Sequence, residues 1–179
     1  MKKFEEKSLN STPVFKGKVI SLKVDDVLLP NGKESKREIV NHPGAVAIIA
    51  ITAEGKLVLV EQYRKALERS IIEIPAGKLE PGEKPDITAR RELEEETGYG
   101  CHELTFLQTF ATSPGFADEV IHLYVARDLY KIDEKADLDE DEFVELLEVT
   151  VEEAESLVKE QKIFDAKTAF AVLWMKANQ

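Results

Sequence analysis

The chain reads as an α+β domain, a mixed sheet with flanking helices, and three observations predict this. Short β-branched and apolar runs recur along most of the 179 residues, separated by turn residues. One helical segment with clear start and stop signals interrupts them near residue 90. Two further helical segments close the chain. At this length a single compact fold with a real hydrophobic core is the default.

The elements follow in order. Val19–Leu29 and Ser35–Val40 flank Pro30-Asn31-Gly32-Lys33, and Asn-Gly between such runs predicts a hairpin. Ala45–Ile51 and Leu57–Gln62 are apolar runs around Ala53-Glu54-Gly55, a second predicted hairpin. Ser70–Ile74 is a short predicted strand running into Pro75-Ala76-Gly77. Pro85 suits a first helical turn and Gly98 a left-handed stop, so a helix is expected from about Pro85 to Thr97. Glu103–Ala111 and Glu119–Ala126 read as strands joined by a loop containing Ser113-Pro114-Gly115-Phe116. The acidic stretch Asp133–Glu142 reads as a loop and Phe143–Val149 as a strand. Thr150 and Glu153 form a capping box opening a helix to about Glu160. Asp165 caps a last helix whose Phe170, Leu173 and Trp174, at i, i+3 and i+4, are expected to anchor the core.

Composition narrows the function classes. A net charge of −11 argues against electrostatic binding to nucleic acid or acidic lipid. The single cysteine, Cys101, excludes an intramolecular disulfide and is read as a packing residue. The opening MKKFEEKSLNSTPVF lacks the apolar segment of a signal peptide, and no apolar stretch is long enough to span a membrane. The cytoplasm is therefore the expected compartment.

The segment GKLEPGEKPDITARRELEEETGY, Gly77 to Tyr99, carries the chemistry. On the predicted helix Glu92, Glu95 and Glu96 fall at i, i+3 and i+4, three carboxylates on one face. Two like charges ~4 Å apart repel by about 4 kcal/mol at an effective dielectric near 20. Such a face calls for water or a cation. An all-oxygen set favours Mg²⁺ or Mn²⁺ over zinc, and Mg²⁺ usually binds through one or two carboxylates together with substrate phosphates. A glutamate-rich helix is more often a solvated face. Gly77, Glu83, Arg91 and Gly98 at fixed offsets argue against that bland reading.

Gly77, Glu83, Arg91, Glu92, Leu93, Glu95, Glu96 and Gly98 fit G-x5-E-x7-R-E-U-x-E-E-x-G-U, where U is bulky and apolar. Tyr99 at the last U departs mildly from the aliphatic residue common there. The chain thus resembles the Nudix hydrolases. Gln62-Tyr63-Arg64, Ile72-Glu73-Ile74-Pro75-Ala76-Gly77, Ser113-Pro114-Gly115-Phe116 and Asp141-Glu142-Phe143-Val144-Glu145 are similar to the ADP-ribose pyrophosphatase subfamily, in which a proline lies some 15 residues past the box, as Pro114 lies 15 past Tyr99.

The resemblance implies an α/β/α sandwich preceded by an N-terminal hairpin region. It divides the chain into residues 1–40, strands that serve dimerisation, and 41–179, the hydrolase domain. It implies cleavage of the ADP-ribose pyrophosphate to AMP and ribose 5-phosphate in a homodimer. Glu92 and Glu96, with Glu95 close behind, are the expected metal ligands, joined by the carbonyl of Ala76. Glu83 and Arg91 are expected to pair and orient those ligands. Glu142 and Glu140 are candidates for the base that takes a proton from the attacking water, with Glu142 also linked to the metal. Arg64 and Arg37 are candidate phosphate clamps, each with a surface or structural ion pair as the alternative. Glu119 is a candidate acceptor for ribose hydroxyls or an additional metal ligand. Phe15 and Tyr63 could stack on adenine, but core packing is the favoured expectation for both. The alternatives are a Nudix pyrophosphatase acting on a sugar nucleotide, dinucleotide or oxidised nucleotide, a Nudix module that binds ADP-ribose without cleaving it, and a plain acidic interaction domain.

Overall fold

The computed structural model describes residues 3–133 and 143–178. The chain divides into two compact units, one comprising residues up to Gly44 with Phe110–Val120, the other Ala45–Thr109 with the residues from Ile121 onward.

The first unit is an antiparallel sheet of β1 (Lys7–Lys16), β2 (Ser21–Leu28) and β3 (Glu34–Asn41), in that order. The Asn-Gly hairpin forms between β2 and β3: Gly32 has φ +80°, its N–H donates to the Leu29 carbonyl at 2.9 Å, and Asn31 Oδ1 accepts from the Lys33 N–H at 3.0 Å. Strand β1 was not expected. It is an edge strand exposed along its whole length, so neither face imposes an apolar alternation on KSLNSTPVFK. The register shifts between Pro13 and Phe15, as suits an edge carrying a proline that cannot donate. Phe15 is accordingly exposed, contrary to the expectation of core packing. Residues 116–118 run beside β3, with a parallel bridge between Val40 and Ala117.

The second unit holds a seven-stranded mixed sheet with the path β10-β5-β4-β9-β8. Its strands are β4 (Ala45–Ile51), β5 (Leu57–Arg64), β6 (Arg69–Glu73), β7 (Ala76–Lys78), β8 (Tyr99–Ala111), β9 (Val120–Lys131) and β10 (Val144–Val149), with β6 on β5 and β7 on β4. The pairing of β4 with β9 is parallel. From Val46 to Ile51 every residue of β4 is buried, the continuous apolar run of a strand covered on both faces. Helix α1 (Pro85–Thr97) covers one face, its Ala89 and Leu93 packing with Val46, Ile48, Ala50, Val58 and Cys101. Pairwise alternation turns Ala47, Ile49 and Ile51 the other way. Helices α2 (Val151–Lys159) and α3 (Ala166–Ala177) bury Val151, Ala154, Ala171, Val172 and Met175, completing an α/β/α sandwich.

The helix signals hold. Pro85 opens α1, Gly98 closes it in the left-handed region at φ +71°, and Thr150 and Glu153 make the reciprocal capping box of α2. Besides Phe15, two packing expectations fail. In α3 the buried stripe is Thr168, Ala171, Val172 and Met175, while Leu173 is 67% exposed and Phe170 and Trp174 are half-buried. Asp165 caps the Thr168 N–H at 3.0 Å, and Thr168 Oγ1 accepts from the Ile74 N–H at 3.0 Å, in keeping with the small-residue face being the buried one. Tyr63, near the end of β5, is exposed and not in the core.

Candidate active site

Helix α1 buries two glutamates: Glu92 is 7% exposed and Glu96 is 3% exposed. A buried carboxylate is costly unless it is hydrogen-bonded or paired. Glu96 Oε2 accepts from the Ala76 N–H at 3.0 Å, tying the last turn of the helix to β7. Glu92 lies against the same strand at Gly77. A Cβ on Gly77 would fall 1.9 Å from Glu92 Cδ and 2.0 Å and 2.3 Å from its oxygens. Only glycine leaves the seat that this carboxylate occupies.

Arg91 gathers the remaining charge. Its Nη1 lies 3.0 Å from Glu92 Oε1 and 2.8 Å from Glu95 Oε2, and its Nη2 lies 3.3 Å from Glu83 Oε2. Thr88 Oγ1 donates to the same Glu83 oxygen at 2.9 Å. Burial opposes the Arg91 charge, but Glu83, Glu92 and Glu95 outweigh it and hold the guanidinium above its ordinary pKa. The Arg91 guanidinium in turn holds the Glu83 carboxyl below the usual range. The expected Glu83–Arg91 pairing is therefore present, and it extends to two of the three helix carboxylates.

Among the described residues no three His, Cys, Asp or Glu side chains form a ready-made metal cage. This donor set nevertheless fits Mg²⁺ or Mn²⁺. Glu92, Glu95 and Glu96 supply only oxygen, their summed charge exceeds that of one guanidinium, and Mg²⁺ characteristically draws further ligands from substrate phosphate and water.

The other candidates are placed as follows. Arg64 Nε lies 2.5 Å from Glu73 Oε2, and Lys167 binds the other oxygen of Glu73, a carboxylate only 3% exposed. Lys167 also reaches Asp165 at 3.0 Å. Glu73 and Lys167 were not foreseen; the signal was a lone charge inside the apolar run Ile71-Ile72-Glu73-Ile74. In the N-terminal unit, Arg37 closes a two-point fork on Glu6, with Nε at 2.8 Å and Nη2 at 2.5 Å, while Nη1 meets Ser35 Oγ and the Lys36 carbonyl. Glu119 accepts from Thr112 Oγ1 at 2.5 Å. Its other oxygen is 3.5 Å from His42 Nδ1, but that nitrogen already accepts the Gly44 N–H at 3.1 Å. Glu140, Glu142 and the acidic stretch from 134 lie outside the described residues.

Tyr99, at the unusual last position of the motif, is buried and donates to Glu148 Oε1 at 2.5 Å. The Glu148 carboxylate beside it, reinforced by burial, pushes the phenol up to about 12. Its hydroxyl thus joins the end of α1 to β10, which an aliphatic residue could not do. Cys101 is buried in the α1 cluster, with Arg90 donating to its carbonyl at 2.7 Å, and packing is its role.

The NUDIX domain profile matches residues 41–171. The chain belongs to the Nudix family. Residues 6–40 match a second profile, the nucleoside diphosphate sugar hydrolase N-terminal domain. This Nudix chain is 61% identical, over 99% of its length and 96% of the relative's, to a methanol dehydrogenase activator of Bacillus methanolicus. It is 58% identical, over 100% of its length and 97% of the relative's, to an ADP-ribose pyrophosphatase of Bacillus subtilis (strain 168). Among solved structures it superposes on a crystal structure of an ADP compounds hydrolase with a TM-score of 0.84 at 25% identity, covering 97% and 96% of the two chains.

Proposed function

We propose that this Nudix enzyme is an ADP-ribose pyrophosphatase, hydrolysing ADP-ribose to AMP and ribose 5-phosphate with Mg²⁺, or Mn²⁺ in its place. The observation that carries the reading is the intact carboxylate face of α1, with Glu92 seated over Gly77 and Glu96 on Ala76. The full-length similarity to an ADP-ribose pyrophosphatase directs that chemistry to this substrate. When bound, the metal screens the pyrophosphate, polarises phosphoryl oxygens and lowers the pKa of water it holds. Glu92, Glu95, Glu96 and the Ala76 carbonyl offer the oxygens that hold it. Glu142, with Glu140 as the supporting or alternative base, takes the proton from the attacking water. Arg64, with its Nε fixed by Glu73, presents the guanidinium to phosphate. In the homodimer Arg37 serves the substrate of the partner subunit when Glu6 shares or yields its fork. Glu119 accepts from ribose.

A panel of nucleoside diphosphate compounds incubated with Mg²⁺, with products resolved chromatographically, tests the assignment. ADP-ribose left intact while another member is cut would sink it. If Glu142 is the base, Glu142→Gln loses turnover at nearly constant substrate affinity, and Glu140→Gln shows a milder loss expressed partly as weaker metal binding. Parent rates in both variants would place the base elsewhere.

Residues 1–40 act as a dimerisation region in front of a hydrolase domain at 41–179, and the enzyme works as a homodimer in the cytoplasm. Exposed Phe4, Leu9, Val14, Phe15, Val19 and Ile20 and the open edge of β1 support that assembly. Among the described residues no helix is long and apolar enough to cross a membrane. Sedimentation should give a dimer mass at micromolar concentration; a fully active monomer would contradict it.

The 61% identity to a methanol dehydrogenase activator favours a second reading, in which the protein also stimulates a methanol dehydrogenase. A purified dehydrogenase assayed with the parent protein and with Glu92→Gln distinguishes the two: stimulation absent with the parent removes this reading, and stimulation kept by the variant separates it from hydrolysis.

A further inference from the structure

We propose that Asp118 is a positioning residue for the loop of residues 112–119, its carboxylate latching the turn that carries Pro114 to the end of β3. The latch stands on geometry; its effect on substrate rests on the ADP-ribose reading above.

Both carboxylate oxygens are engaged. Asn41 Nδ2 donates to Asp118 Oδ2 at 2.7 Å, and the His42 N–H donates to Oδ1 at 2.8 Å, across 77 and 76 residues of chain. The backbone runs alongside: the Val40 N–H donates to the Phe116 carbonyl at 2.8 Å, and the Asp118 N–H donates to the Val40 carbonyl at 3.1 Å. The rest of the loop is tied locally, with Phe116 and Ala117 N–H groups both turned onto the Ser113 carbonyl at 3.1 Å and 2.9 Å. Pro114 and Gly115 sit exposed at that turn. The position of the turn therefore depends on where Phe116–Asp118 is fastened.

Aspartate suits this place for a chemical reason. The two donors, an amide NH₂ and a backbone N–H, require two acceptors; asparagine offers one, so its NH₂ meets Asn41 only when the Asn41 amide turns over, and the bond then formed is neutral and weaker. Because β3 also carries Arg37, the latch makes the loop and that arginine parts of one body, so substrate contacts from each keep a fixed spacing.

The test compares Asp118→Asn with the reversed pair, Asn41→Asp together with Asp118→Asn, which places the amide donor on the loop and the acceptor on β3. Asp118→Asn should raise the KM for ADP-ribose roughly 10-fold, the cost of exchanging charge-assisted hydrogen bonds for neutral ones, with kcat within about 3-fold of the parent. Its preference for ADP-ribose over GDP-mannose should narrow. The reversed pair should bring KM back to within about 3-fold, a double-mutant coupling that mere loss of packing does not produce. Chymotrypsin cleavage after the exposed Phe116, which needs no substrate, should quicken in Asp118→Asn and slow again in the pair. If the parent leaves ADP-ribose intact, the functional reading fails while the cleavage rates still judge the latch. Unchanged KM and cleavage in Asp118→Asn, or no recovery in the reversed pair, would overturn the proposal. So would a fall in melting temperature and kcat with KM unmoved.

Discussion

Glu92→Gln is expected to lower the rate of ADP-ribose hydrolysis at least ~10²-fold while leaving the fold in place, and Glu96→Gln is expected to do the same. The substitution keeps shape and removes one charge from the oxygens proposed to hold the metal. In Glu96→Gln the side-chain oxygen can still accept the Ala76 N–H, so the loss reports charge and not the tie between helix and strand. In Glu92→Gln the contact with Arg91 Nη1 weakens, but Glu83 and Glu95 remain on that guanidinium. The net change in stability should stay within about 1 kcal/mol, because relief of like-charge repulsion along the helix offsets the weakened pair. Turnover and Mn²⁺ binding, followed by calorimetry, are the measurements. Turnover near the parent level in either variant would remove the helix from the metal site.

Gly77→Ala is the second large effect. Gly77 lies in β7 opposite Val46, and the clash at 1.9 Å is with the Glu92 carboxyl carbon. Alanine therefore strains the seat and not a special turn. The carboxylate must move, so the variant should resemble Glu92→Gln, losing at least ~10²-fold in rate, with overpacking lowering stability by about 1–3 kcal/mol. The double variant Gly77→Ala/Glu92→Gln should be scarcely slower than either single, since both remove the same placed carboxylate. Full additivity of the two losses, or a Gly77→Ala enzyme at the parent rate, would show that Gly77 does not act through Glu92.

What was legible in the sequence is what local chemistry fixes. Pro85 and Gly98 bracket α1 because ring geometry and left-handed freedom act within one turn, and Glu92, Glu95 and Glu96 share a face through the helix repeat alone. Glu83 and Arg91, eight positions apart, stay within reach of that local frame. The misses are long-range or lack an alternating pattern. Strand β1 is exposed on both faces, so nothing in its side chains records its pairing with β2. The buried stripe of α3 includes Thr168, whose hydroxyl accepts from the Ile74 N–H 94 positions away, a partner that helical spacing cannot reveal. The partners of the two candidate arginines, Glu6 for Arg37 and Glu73 for Arg64, were equally invisible: neither is set by helical or strand spacing alone.

The single guanidinium shared among Glu83, Glu92 and Glu95 bears on how the protein comes into being. Zinc-finger domains stay unfolded until a metal neutralises their ligands. Here a resident cation of the chain's own already offsets part of that charge, so the fold is expected to form without the metal. Chelator should silence the enzyme without melting it, and returning the metal should restore activity with no refolding step to wait for.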